Sequence, residues 1–125
     1  MNKTHVAEVI ENNLDTEFRF GTWDCCIFAF QVAIPNEVSL LIGQYTDEET
    51  AVAYIEELGG FDAKLQELGG EPIQKEYLRT GDVVKLKDKN TLGIVQGGKI
   101  IIAVTRGIRH IPMKYAEQGW RFSSE

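Results

Sequence analysis

The sequence predicts an α+β fold, with N-terminal helices packed on a C-terminal antiparallel sheet. Apolar residues recur at helical spacing in a helical half of about residues 1–70, where glycine pairs and a proline separate the segments. From Gly81 onward β-branched residues dominate, so the sheet half is expected at about residues 81–125. Helices followed by a meander of strands is the order typical of α+β proteins. With 125 residues and no low-complexity linker, residues 1–125 are expected to form one domain.

Four helices are predicted, each from an apolar face and from start and stop signals. The second is apolar on nearly every side, which is typical of a helix buried in the core. Thr46-Asp47-Glu48-Glu49 matches a capping box with Thr46 as the N-cap, and glycine pairs end the third and fourth helices. The predicted helices run from Thr4 to Asn13, from Asp24 to Ala33, from Thr46 to Gly59 and from Phe61 to Leu68.

The sheet half is read from short runs of β-branched residues between turn signals. Asp88-Lys89-Asn90 and Gly97-Gly98 predict two turns, the second of them a two-residue hairpin. The strand after that hairpin is apolar on both faces and is expected in the sheet interior, whereas Pro112 marks a strand end or an edge. Met113 to Gln118 is interpreted as a helical turn. The predicted strands are Val83–Leu86, Leu92–Gln96, Lys99–Val104, Ile108–Pro112 and Trp120–Phe122.

Charge and composition exclude several classes of function. The net charge of −6 argues against nucleic-acid binding and against attraction to an anionic membrane. No stretch approaches the roughly 20 apolar residues that span a bilayer, and Met1 to His5 lead into an amphipathic helix instead of a secretory signal. Two adjacent cysteines cannot form an ordinary disulfide, and with two distant histidines they do not match a zinc site. The sequence predicts no metal, no cofactor and folding in a reducing cytoplasm.

Cys25 is the candidate reactive residue. Asp24 is a good N-cap, so Cys25 falls in the first helical turn, where free N–H groups and the helix dipole favour a thiolate. The local pattern leaves two interpretations open, a nucleophile or a small buried apolar residue. Cys26 points about 100° away around the helix and is interpreted as an apolar core residue.

The stretch around Cys25 resembles a known family. Phe20-Gly21-Thr22-Trp23-Asp24-Cys25-Cys26 resembles the Trp-Gly-x-x-Asp-Cys signature of NlpC-type cysteine peptidases, with Phe20 in place of the tryptophan. Gly81-Asp82-Val83-Val84 is similar to the family's Gly-Asp-Leu-Val strand, and the segment from Thr91 to Gly98 is similar to its His-Val-Gly-Ile-x-x-Gly hairpin. The blocks follow the family's order, and the likeness is greatest to a divergent branch encoded among phage tail genes. The resemblance implies a papain-like fold, in which the nucleophile's helix packs on an antiparallel sheet that supplies a histidine.

The residues that would activate the thiol depart from the family pattern. The catalytic histidine position falls on Thr91, or on Leu92 if the register shifts by one. The third polar position falls near Ile102 or Ala103, and the family's aromatic hydroxyl falls on Phe18, which has none. Cysteine proteolysis needs a base beside the thiol and a group that orients the base. Of the family's catalytic positions, this sequence therefore matches only the nucleophile, Cys25.

His110 is the one histidine of the sheet half and the only candidate for a displaced base. It could approach Cys25 from a neighbouring strand, or it could be an ordinary histidine on a strand surface. The family places its base one or two strands earlier, which favours the second interpretation.

The resemblance implies a tail-tip or tail-assembly protein of a tailed phage, with a peptidase-like domain that lacks activity. Its expected partners are the baseplate hub and distal tail proteins, with cell-wall peptide as a further ligand. The expected location is the virion tail, after synthesis in the bacterial host cytoplasm. The alternative is an active cysteine peptidase or amidase that cleaves bacterial cell-wall peptides, with Cys25 as nucleophile and His110 as base. A third hypothesis is a host-side or prophage-encoded module that binds cell-wall peptide without cutting it.

Overall fold

A computed structural model describes residues 3–87 and 89–122, with side chains from His5 onward. Met1 and Asn2, and Asp88 of the predicted Asp88-Lys89-Asn90 turn, lie outside these ranges. Within them the chain forms four α-helices and three short 3₁₀ helices. The α-helices are α1 (Lys3–Asn12), α2 (Cys25–Ala33), α3 (Glu48–Glu57) and α4 (Gly60–Glu67). The 3₁₀ helices are Pro35–Leu40, Lys75–Tyr77 and Met113–Tyr115.

The strands of the described residues form one six-stranded antiparallel sheet, in the order β1-β6-β2-β3-β4-β5. β4 has a neighbour on each side, which confirms the prediction of an interior strand. β5 carries Pro112 and lies at the edge of the sheet. The strands are β1 (Glu71–Ile73), β2 (Val83–Leu86), β3 (Leu92–Gln96), β4 (Lys99–Ala103), β5 (Ile108–Pro112) and β6 (Ala116–Arg121).

The two strands at the opposite end of the sheet from β5, namely β1 and β6, differ from the prediction. β6 begins at Ala116, so the predicted helical turn is limited to Met113–Tyr115, and the last strand is longer than expected. Pairing with β2 on one side and β1 on the other stabilises β6 through its backbone, whatever its side-chain pattern. β1 was not predicted, because an exposed three-residue edge strand that contains Pro72 shows no alternation of apolar residues.

The core lies between the helices and one face of the sheet. α2 contacts β3 and β4, and it is buried along most of its length, as its composition predicted. Phe28 and Ile27 are at most 1% exposed, and they belong to the same core cluster as Trp120 of β6. A smaller apolar cluster, which includes Val84, covers the opposite face of the sheet.

Side-chain caps fix the starts of two helices. Asp24 caps α2, as predicted. The N-cap of α3 is Asp47 and not Thr46, so the predicted capping box was wrong by one residue. Asp47 accepts a bond from the Thr50 N–H at 2.8 Å, and the Thr50 hydroxyl accepts one from the Asp47 N–H at 3.2 Å. A threonine at the third helical position therefore takes the place that the box usually gives to Glu or Gln.

Asp82 holds the start of β2 to the end of β6. It is 2% exposed, and its two carboxylate oxygens accept bonds of 2.9 and 2.8 Å from the Arg121 guanidinium. The backbone N–H of Arg79 donates a third bond at 2.9 Å. Asp82 belongs to the Gly81-Asp82-Val83-Val84 block, and the structure adds a partly buried ion pair that the local pattern does not reveal.

Candidate active site

The site begins with a turn that Asp24 closes. Asp24 is 2% exposed, and one carboxylate oxygen accepts the Ile27 N–H at 2.9 Å while the other accepts the Gly21 N–H at 2.9 Å. Gly21 has a φ of +83°, and a Cβ there would lie 2.2 Å from the carbonyl oxygen of Tyr45. Only glycine fits this position. The carboxylate therefore fixes both the start of α2 and the turn that packs against the Tyr45 segment.

Cys25 is the first residue of α2 and is half-buried at the wall of a cavity of about 560 Å³. Its sulfur lies 4.0 Å from the sulfur of Cys26. The backbone N–H of Leu92, at the start of β3, is close enough to help lower the pKa of the Cys25 thiol. The thiol thus faces the strand on which the resemblance expected a histidine, and it meets backbone there instead of an imidazole.

Hydrogen bonds to the Cys25 sulfur favour its ionised form. The Cys26 thiol is the main group that lowers the pKa of Cys25 below its ordinary value, against the opposing effect of burial. The N–H groups of Leu92 and Cys26 act in the same direction, while the charge of Asp24 opposes them. The pKa of Cys26 is raised well above the ordinary value, first because its thiol is hydrogen-bonded to Cys25 and then because it is buried. The two sulfurs are 4.0 Å apart and either can be the donor, while Cys26 itself is buried in the core.

Polar and apolar residues line the cavity on both sides: Asp24 and Glu48 lie at the helix starts, and Ile102 and Ala103 lie on β4. Its size lies within the usual range of small-ligand sites. No histidine is among the described residues that line it. Lys85 pairs with Glu117 at 3.3 Å, and Lys89 also lines the cavity. The lining residues are Phe18, Phe20, Asp24, Cys25, Cys26, Tyr45, Glu48, Ala51, Val52, Ile55, Lys85, Lys89, Asn90, Thr91, Ile102 and Ala103.

The structure does not bring His110 to this cavity. His110 is exposed on the edge strand β5, where it pairs with Ile101. Two strand spacings of about 4.8 Å separate β5 from β3, the strand whose Leu92 N–H lowers the pKa of Cys25. The His110 imidazole therefore lies beyond hydrogen-bond reach of the thiol, and its role as a displaced base is not supported.

Thr91 and Phe18 do line the cavity, together with Ile102 and Ala103. All four occupy positions at which the resemblance expected polar catalytic groups. These residues lie together around one cavity, and their side chains cannot perform general base chemistry.

Tyr45 is the polar residue at this site that sequence reasoning missed. It is 4% exposed and lines the cavity, and its hydroxyl lies beside the Asp24 carboxylate without a hydrogen bond of good geometry among the described residues. Burial, more than the neighbouring Cys26 and Asp24, raises its pKa, so the phenol stays protonated. No local pattern marks Tyr45, because the contact between its carbonyl and Gly21 joins segments more than 20 residues apart.

Two further properties concern metals and membranes. In the part of the chain that the structure describes, no three metal-binding side chains come together. None of the helices in the same ranges is both long enough and apolar enough to cross a bilayer.

Comparisons with known proteins give a family but no activity. A search of the curated proteins finds no match. Residues 2–122, nearly the whole chain, match the family model DUF6950, a domain of unknown function. The protein is therefore a member of the DUF6950 family.

Proposed function

We propose that this protein is a tail-tip or tail-assembly protein of a tailed phage, built on a papain-like NlpC-type domain that does not hydrolyse peptide bonds. The architecture supports the papain-like part of the proposal. A buried helix carries the thiol at its start and packs on an antiparallel sheet. The three blocks that resemble the family lie at the start of α2, at β2 and at β3.

The observation that carries the proposal is a thiol in an open cavity, with no imidazole among the described residues that line it. Amide hydrolysis by cysteine needs a general acid to protonate the departing amine, and a base to activate water in the second step. The expected histidine position holds Thr91 or Leu92, and His110 lies two strands away. A fold that has lost its proton-transfer group can persist as a scaffold for assembly.

The alternative, an active peptidase or amidase, has one observation in its favour. The pKa of Cys25 is lowered, so part of the nucleophile is ionised without a histidine. Ionisation serves the attack on the amide but not the release of the amine. This difference makes the two functions separable by experiment.

The test of activity is digestion of purified bacterial cell-wall peptides, followed by chromatography of the products. The wild-type protein and Cys25→Ala are expected to release the same background of products. Release that requires Cys25 would overturn the scaffold proposal in favour of the peptidase.

The test of assembly is co-purification of the wild-type protein with baseplate hub and distal tail proteins expressed in the same cell. A stable complex is expected, and Cys25→Ala is expected to form it equally well, because the interaction does not use the thiol. Mass spectrometry of purified virions checks the location in the tail. A protein missing from virions and from the complex would contradict the tail assignment.

A further inference from the structure

β5 is the longer of the two open edges of the sheet. It has five residues, Ile108–Pro112, and among the described strands it pairs with β4 only. β1, at the opposite edge, has three residues and contains Pro72, which lacks an N–H group. Arg109 and His110 of β5 are exposed. An edge of this kind presents backbone N–H and C=O groups that can pair with another extended chain.

The hydrogen bonds at the start of β5 show which backbone groups point outward. The Val104 N–H donates to the Gly107 C=O at 3.1 Å, so this carbonyl points toward the β4 side. The Ile108 N–H belongs to the same planar peptide group and points the opposite way. Because successive residues alternate along a strand, the N–H and C=O groups of Ile108 and His110 point away from β4. Among the described residues, no loop or side-chain oxygen accepts from either N–H group.

The chain itself already covers the backbone just ahead of β5. The Gly107 N–H donates to the Thr16 C=O at 2.9 Å, and the Thr105 C=O accepts the Phe18 N–H at 2.9 Å. An extended segment of this protein therefore lies against the outer side there, so an added chain fits beside the sheet. The part of this edge that stays open is residues 108–112.

The side chains near this edge are basic and lack acidic partners. Residues 89–116 include five Lys or Arg and no Asp or Glu, although the whole chain has a net charge of −6. Arg109 forms no ion pair among the described residues. The acidic residues on either side of Thr16, Asp15 and Glu17, already pair with Arg106 at 3.2 and 3.9 Å. An added strand with carboxylates therefore finds a free guanidinium at β5.

Two copies of β5 do not complement each other. The antiparallel registers with the most overlap are centred on His110 or on Arg109, so the central residue meets its own copy. In the second register the two Arg109 charges lie directly opposite each other, and in the first neither of them meets a carboxylate. Like charges on opposite strands destabilise pairing. The charge of this edge therefore favours an acidic partner over a second β5.

We propose that the outer edge of β5 binds an extended acidic peptide segment, which adds a strand to the sheet. The segment bonds to the backbone of Ile108 and His110, and one of its carboxylates faces Arg109. In binding of this type the backbone bonds supply affinity and the side chains supply the preference for one sequence. The five residues of β5 span about 17 Å, so the partner contributes about five residues. This binding goes beyond the proposed tail function and does not depend on it.

The test uses a fluorescein-labelled peptide, Thr-Glu-Val-Glu-Val-Glu-Thr, whose binding to the wild-type protein is measured by fluorescence anisotropy. Saturable binding is expected. A control peptide of the same sequence carries methyl groups on its interior backbone nitrogens, which keep the charge and remove the donors; it is expected to bind at least about tenfold more weakly. Equal binding of the two peptides, or no binding, would overturn the proposal. So would equal or tighter binding of a labelled thymidine oligonucleotide, because the edge would then be a site for nucleic acid.

Amide exchange measured by NMR identifies the strand that binds. In the free protein the N–H groups of Ile108 and His110 are expected to exchange faster than those of Arg109 and Ile111, which face β4. The peptide is expected to slow the exchange at Ile108 and His110. Unchanged exchange at both residues with saturating peptide would refute the assignment to β5.

A charge reversal and its matched control test the role of Arg109. Arg109→Glu reverses the charge that faces the segment, so affinity for the acidic peptide is expected to fall about five- to tenfold. Lys75→Glu makes the same change at an exposed position in the 3₁₀ helix Lys75–Tyr77, and affinity should stay within about twofold. An equal loss in both variants would refute the role of Arg109.

His110→Pro removes an outward N–H group and places a ring in the path of the added strand. Edge strands accept proline where the N–H faces solvent, so the melting temperature is expected to change little while peptide binding is lost. Wild-type binding by the folded variant, or failure of the variant to fold, would contradict the assigned direction of the His110 N–H. Sedimentation of the wild-type protein alone is expected to show a monomer. Self-association that His110→Pro abolishes would assign the edge to a second copy and overturn the proposal.

Discussion

Replacing Asp24 by alanine should destabilise the whole domain and disorganise the start of α2. The carboxylate makes two buried bonds, one to the Ile27 N–H and one to the Gly21 N–H. Loss of an N-cap typically costs about 0.5–2 kcal/mol. The Gly21 N–H is left buried without an acceptor, which adds about 1–3 kcal/mol. We therefore expect the free energy of unfolding to fall by about 2–4 kcal/mol, or the melting temperature by about 10 °C.

Two further variants isolate the cause. Asp24→Asn keeps one acceptor oxygen but places an amide N–H against the other backbone N–H group. We therefore expect about half of the loss in the free energy of unfolding that Asp24→Ala causes. Asp47→Ala removes the cap of α3, which is exposed and whose carboxylate accepts a single backbone bond, from Thr50. Its effect should be clearly smaller than that of Asp24→Ala.

Urea denaturation followed by circular dichroism measures the free energy of unfolding of all three variants. The rate of Cys25 alkylation, measured below the melting range, reports whether the thiol is still held at the helix start. If Asp24→Ala lost no more stability than Asp47→Ala, the argument from the two buried bonds would fail.

Three other outcomes follow from the described contacts. Cys26→Ala should shift the pH dependence of Cys25 alkylation to higher pH, because the donor that lowers the pKa of Cys25 is removed and the reactive thiolate forms later; peptide mass spectrometry distinguishes the two cysteines. Arg121→Met should lower the free energy of unfolding by about 2–3 kcal/mol in urea titrations, because it leaves the Asp82 carboxylate buried without its partner, with Arg121 itself 27% exposed. Tyr45→Phe should leave thermal stability unchanged or raise it by about 1 kcal/mol, because it removes an unpaired buried hydroxyl.

Each of these outcomes has a control. Cys26→Ser retains a donor and should alkylate at a pH closer to that of wild type; an equal shift in both variants would point to packing instead. Arg106→Met breaks an exposed pair with Asp15, at 60% and 83% side-chain exposure, and should cost under about 1 kcal/mol. A loss of stability above about 1 kcal/mol in Tyr45→Phe would mean that its hydroxyl is already paired.

Local patterns were sufficient to predict the helices and the central strands. The apolar run after Asp24 specifies a buried helix, and the strands from Val83 to Pro112 follow each other as a meander whose partners are adjacent in sequence. The mixed helix-and-sheet architecture was therefore confirmed. β1 and β6 were missed or shortened because their pairing partners are remote, and such pairing leaves no local periodicity.

The residues of the candidate site also divide into those that local sequence predicts and those that depend on contacts between distant segments. The position of Cys25 depends on an N-cap and was predicted from Asp24 and the apolar run that follows it. The Tyr45 hydroxyl, the Leu92 N–H and the Asp82–Arg121 pair depend on contacts between distant segments. The phage-tail assignment and the papain-like relation stay predictions, since membership of the DUF6950 family carries no activity.

The place of β6 between β1 and β2 bears on how the protein is made. During translation, residues 83–103 emerge and can form their hairpins early, but β2 keeps an open backbone edge until residues 116–121 have left the ribosome. Exposed strand edges invite association between nascent chains. Chains that stop before residue 116 are therefore expected to aggregate when they are expressed. For the same reason, a purification tag is better placed before α1 than after β6, the strand that covers the edge of β2.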